Sequence, residues 1–76
     1  MAAIPIQTET IRLSQLLKLA NLVQDGAEAK FRIAGGEVRV NGAVEIRRGR
    51  KIRPGDRVEF AGETCEVVAG PAATEP

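Results

Sequence analysis

The hydrophobic positions change period part-way along this chain, and the change separates a helical front from a stranded back. Leu13, Leu16, Leu17 and Ala20 recur at i, i+3, i+4 and i+7, the spacing that gathers apolar side chains on one face of an α-helix. Ser14 stands where a hydroxyl can cap the first turn, and Leu22 and Val23 extend the apolar surface. Asp25-Gly26 breaks the run. A second short helix is predicted from about Ala27 to Ala34, ended by Gly35-Gly36, where glycine supplies a left-handed C-terminal cap. Two helices joined this tightly make a helix-turn-helix-like pair.

After Gly36 the period falls to two. Val38 and Val40 alternate with Glu37 and Arg39, Asn41-Gly42 is a strong hairpin signal, and Val44 and Ile46 continue on the far side. Pro54-Gly55-Asp56 is a second turn, leading into a strand from Arg57 to Phe60; Ala61-Gly62-Glu63 turns again into Thr64 to Val68. Upstream, Ile4 and Ile6 alternate within a segment, residues 1–8, that reads as an extended arm or an edge strand. Residues 70–76, with Pro71 and Pro76, lack apolar content to pack and read as a flexible tail. The predicted class is α+β: two short helices packed on a small, mainly antiparallel sheet, in one domain over 1–76 with an ordered core of about 9–69.

Length and composition then exclude most chemistry. A chain of 76 residues has room for one core, and a core of that size rarely supplies more than roughly 3–5 kcal/mol. Cys65 is the only cysteine and there is no histidine, which removes intrachain disulfides, Cys/His zinc sites and every His-based nucleophile or base. Cys65 lies in a predicted strand with no cationic cluster or helix start beside it, which favours a buried structural thiol over a reactive one. Asp56, in its turn, is placed to bond local backbone N–H groups, and Glu28 pairs on the helix surface with Arg32 four residues on. Gly35-Gly36 has none of the spacing of a phosphate loop. No catalytic residue, metal site or cofactor is predicted, and the chain reads as a non-enzyme. With no leader-like segment and no stretch approaching ~20 apolar residues, a cytoplasmic protein with no membrane partner is expected.

The net charge of +1 averages two unlike parts. Between Lys30 and Arg57 lie nine basic and three acidic residues, a net +6, so the remainder carries −5. Its centre is Arg47-Arg48-Gly49-Arg50-Lys51-Ile52-Arg53, five cations in seven residues that repel one another unless a polyanion or an acidic surface offsets them. Composition alone fits a solvated charged loop as well as a phosphate site. Gly49, which lets backbone approach a phosphate, and the excess of arginine over lysine tip the reading toward phosphate. The aromatic residues are Phe31 and Phe60, both predicted in the core, which leaves no platform for stacking unpaired bases and points to recognition by shape and phosphates.

This order of elements resembles the S-four RNA-binding module. The likeness runs from about Ile11 to Phe60: Leu13 and Leu16-Leu17-Lys18-Leu19, Glu28-Ala29-Lys30, Ile33, then Gly36-Glu37-Val38-Arg39-Val40-Asn41-Gly42. Arg47-Arg48-Gly49-Arg50-Lys51 with Pro54-Gly55-Asp56 is closer still to the short, free-standing YbcJ-like branch. The resemblance implies non-catalytic binding of structured RNA, ribosomal or transfer RNA or a ribosomal subunit, by a monomer. In the family, basic residues of the second helix and the following hairpin face the RNA. The candidates are Lys30, Arg32, Arg39, Arg47, Arg48, Arg50, Lys51 and Arg53. Asp25-Gly26 replaces the usual Ser-Arg pair opening that helix, which removes one expected phosphate contact. The other functional reading is a module that docks on an acidic protein partner or targets a separate RNA-modifying enzyme.

Overall fold

Leu13, Leu16 and Leu17 point to one side of helix α1 (Leu13–Leu19) and are buried; Ala29 and Ile33 do the same from α2 (Gly26–Ala34). The two stripes meet each other and the inward face of a sheet, in a computed structural model that describes residues 2–70. The strands are β1 (Ala2–Ile6), β2 (Ile11–Arg12), β3 (Val38–Val40), β4 (Ala43–Val44), β5 (Lys51–Ile52), β6 (Arg57–Phe60) and β7 (Glu63–Ala69). Five form one sheet in the order β1-β7-β6-β3-β4, antiparallel except for the parallel β1–β7 pair; β2 and β5 form a separate antiparallel ladder. Val38, Val40, Val58, Phe60, Cys65 and Val67 alternate inward, as a sheet with one covered face requires. This is the predicted α+β arrangement.

Both tight turns follow from their sequences. Asn41 and Gly42 have φ of 52° and 86°, the paired left-handed conformations of a type I′ hairpin, and Val40 faces Ala43 across it. Ala61 and Gly62, at 54° and 80°, make the same turn between β6 and β7. Ala61 carries a Cβ in a region that costs roughly 1–2 kcal/mol for such a residue. Ala61→Gly is therefore expected to stabilise the fold by about 1 kcal/mol, read as a rise in the urea midpoint with unchanged slope.

Several expectations change. Ser14 is not the cap of α1: Arg12 is, its N–H donating to Gln15 Oε1 at 3.4 Å, because the helix begins at Leu13. Residues 2–6 are not a free arm. Ile6 is buried in the core and β1 pairs with β7 from Ala2↔Cys65 to Ile6↔Ala69, so order begins well before residue 9. Gly70, assigned to the tail, is buried and donates to the Ile6 carbonyl at 2.7 Å; the rest of the proposed tail, 71–76, lies outside the described residues. Phe60 is in the core, but Phe31 is 70 % exposed. With about 100° between successive helical residues, Phe31 sits opposite the buried Ala29 and Ile33.

Candidate nucleic-acid interface

The basic segment is folded into the body of the protein. Ile52 is fully buried, and its neighbour Lys51 pairs with Arg12 across the β2–β5 ladder. The first N–H groups of α1, which no intrahelical carbonyl can reach, are met by this segment: Leu13 N–H donates to the Arg50 carbonyl at 2.9 Å and Ser14 N–H to that of Arg48 at 3.1 Å. Arg50 N–H in turn closes a tight turn on the Arg47 carbonyl at 3.2 Å.

What offsets the mutual repulsion is Glu45. The strand alternation makes Val44 and Ile46 the inward pair, yet both are exposed and Glu45 is buried. The register explains it: Val44 lies opposite Arg39, on the open face of the sheet, which turns Glu45 inward, its N–H bonded to the Val38 carbonyl at 3.0 Å. There its carboxylate, 8 % exposed, accepts from Arg50 Nη1 at 2.8 Å and from the Arg47 backbone N–H and Nε at 3.0 and 3.2 Å. The Arg50 bond and those from Arg47 hold its pKa down at about 2. A buried carboxylate with this many donors is charged at neutral pH and clamps the two arginines.

A second brace fixes the neighbouring turn. Asp56 accepts from Arg53 N–H at 3.0 Å and Asn41 Nδ2 at 3.1 Å, while Asn41 Oδ1 accepts from Arg57 N–H at 2.9 Å. Partial burial pushes the Asp56 pKa up, but these donors and the charges of Arg50 and Arg53 outweigh it and leave it below the usual value. The carboxylate does the structural work expected of a turn aspartate.

The candidate cations fall into three groups. Arg47 and Arg50 are engaged by Glu45, whereas Arg48, Lys51 and Arg53 on the same loop have no ion-pair partner among the described residues. On α2, Lys30 is likewise unpaired among the described residues, but Arg32 lies between Glu28 at 3.8 Å and Glu37 at 3.3 Å. Arg39 stands apart, on the open sheet face directly across from Glu59. One cation escaped the sequence reading: Arg12, exposed and opposite Lys51. Like charges directly opposite destabilise a ladder, and nothing local in the sequence brings together residues so far apart. The result is a fixed surface with Arg12, Arg48, Lys51 and Arg53 as its free charges among the described residues.

Little else offers chemistry. No cluster of His, Cys, Asp or Glu among the described residues is placed to hold a metal ion, and no helix there is long and apolar enough to cross a membrane. Cys65 is buried in β7, and its desolvation, with the charge of Glu63, raises the thiol pKa, which disfavours the reactive thiolate.

A paired-helix unit against a small sheet, with a basic segment docked on the first helix, defines the class: residues 4–68 match the S4 domain model, and the chain belongs to that family. Among individual proteins it is similar to the "Putative RNA-binding protein YbcJ" of Escherichia coli (strain K12), 49 % identical over 59 residues, covering 78 % of this chain and 84 % of that one. It is equally identical over 59 residues to the "Probable ribosome maturation protein RlbA" of Bacillus subtilis (strain 168), covering 78 % and 83 %. The solution structure of E. coli YbcJ, described as revealing an αL motif involved in RNA-binding, superposes with a TM-score of 0.71 at 44 % identity, over 91 % of this chain and 89 % of that one.

Proposed function

We propose that this protein binds structured RNA without catalysis, through phosphates, and that its target is ribosomal RNA or a ribosomal particle. The observation that carries the reading is the Glu45 clamp: it holds a cation-rich loop in one shape and leaves Arg48, Lys51 and Arg53 without ion-pair partners among the described residues, with Arg12 directly opposite Lys51. Arginine-rich surfaces of fixed geometry suit phosphate oxygens, and a backbone-reading surface suits folded RNA, whose shape places phosphates at set distances. The RNA-binding motif described for YbcJ and the ribosome-maturation name of RlbA support the choice of RNA and of the ribosome. Lys30 extends the surface onto α2; Arg32, Arg39, Arg47 and Arg50 contribute less because carboxylates already engage or face them.

The test is competition. Labelled, folded ribosomal RNA fragments are titrated with the protein against unlabelled fragment and against duplex DNA of equal length. Saturable binding that DNA displaces at least tenfold less well supports the reading; equal displacement, or no binding, overturns it.

Gly49 supplies a finer probe. Its φ lies outside the left-handed region, no atom beyond its chain neighbours lies within 4 Å of where a Cβ would sit, and it borders a shallow recess with Arg47, Arg50 and Lys51. Neither conformation nor packing demands glycine there. Gly49→Ala is expected to leave the melting temperature unchanged and to weaken RNA binding several-fold by holding phosphate off the backbone, as measured by filter binding.

A further inference from the structure

The exposure of Phe31 reopens a mode of recognition that a buried ring would exclude. Resting on the reading that the chain binds RNA, we propose that Phe31 is a stacking platform for one unpaired base of the bound RNA, with Lys30 neutralising a phosphate beside it.

The ring stands on the solvent side of α2, in a stripe made by Ala27, Lys30, Phe31 and Ala34 at i, i+3, i+4 and i+7. The spacing matches a core-facing stripe, but this one faces away from the core. Phe31 is 70 % exposed, and it shares a surface recess with Lys30, with Ala27, Ala34 and Gly35, which are low enough for a planar group to approach the ring, and with Glu37, whose carboxylate is engaged by Arg32 at 3.3 Å. The other neighbour is Arg32, whose guanidinium carbon lies 5.8 Å from the ring centroid, within cation–π range. Glu28 and Glu37 hold that guanidinium in turn, so the ring is steadied and less freedom is lost when a partner stacks on it.

Charge decides what that partner is. Lys30 has no ion-pair partner among the described residues and shares the stripe with the ring. A nucleotide offers a flat π-face and an anion at that scale. A protein partner needs on the order of 800 Å² per side, which one ring and two alanine methyls do not supply.

Phe31→Trp introduces the sole tryptophan, a fluorophore at the proposed contact. Two synthetic RNAs serve as probes: a duplex with a three-nucleotide bulge and a fully paired duplex of the same charge, both at low salt. The bulged RNA is expected to quench the indole emission of the F31W protein, and the paired one to leave it unchanged. Phe31→Ala and Phe31→Leu should each weaken binding to the bulged RNA about tenfold and leave the paired duplex unaffected, since Leu restores apolar area without a π-face. Full binding by the Leu variant, absence of selective quenching, or equal loss on both RNAs overturns the platform while wild-type binding to RNA stands. Failure of the wild type to bind either synthetic RNA overturns the platform; failure to bind a folded ribosomal RNA fragment at the same salt removes the RNA reading with it.

Discussion

Replacing Arg48, Lys51 and Arg53 together with glutamine should lower affinity for a folded ribosomal RNA fragment by about two orders of magnitude at 0.1 M salt. Each phosphate neutralised by a cation releases condensed counterions, so losing three contacts removes about three from the slope of log affinity against log salt. These side chains are exposed and free of ion pairs among the described residues, and the bonds that fix the loop use the backbone of Arg48 and Arg53, which glutamine retains. The melting temperature should therefore move by no more than about 2 °C. The choice of residues matters. Alanine at Arg47 or Arg50 would strip donors from a buried carboxylate and confuse loss of contact with loss of structure. A triple variant that binds as tightly as the wild type would move the RNA surface off this loop.

Glu45→Gln should be the most damaging exchange of one polar atom set for another in the chain. The carboxylate accepts three bonds, two of them from guanidinium groups, and its loss frees two arginines to repel their neighbours. Bonds to charged groups at such sites are worth about 2 kcal/mol net, which for a domain of this size lowers the melting temperature by about 10 °C. The acid limb supplies the sign. The folded-state pKa is lowered from 4.5 to about 2, so the stabilisation is complete above the unfolded value and is lost as pH falls through that interval. Urea midpoints measured from pH 6 down to pH 2 should fall for the wild type and fall less steeply for Glu45→Gln, the two converging at the acid end. Binding adds a discriminating result. The variant has one more net positive charge, so a loosely charged loop would bind RNA better; a loop that works by its shape will bind worse.

Most of the fold was legible because periodicity reports burial directly. The stripe at Leu13, Leu16 and Leu17, the alternation at Val38 and Val40, and the Asn41-Gly42 turn each state a local rule that the tertiary structure obeys. The edge-strand alternative for residues 2–6 could not be decided locally, since a parallel partner lies at the other end of the chain. In the site, the cations were visible but their grouping was not. Glu45 was concealed by an alternation whose apolar members, Val44 and Ile46, face outward on and just beyond a two-residue edge strand. Arg12 joins Lys51 only through a ladder between distant segments. Phe31 was readable in principle: its angular position relative to Ala29 and Ile33 puts it outside, and hydrophobicity alone suggested otherwise.

The central claim is that the protein holds RNA by a set of fixed cations on phosphates, and the most direct test is the salt dependence of wild-type binding. Affinity for a folded ribosomal RNA fragment would be measured from about 50 to 200 mM monovalent salt, a range over which four or five phosphate contacts give a log–log slope of roughly −4. A slope of that size is the predicted result. A slope between 0 and about −1, with affinity intact, would contradict the account and show that something other than these charges holds the RNA.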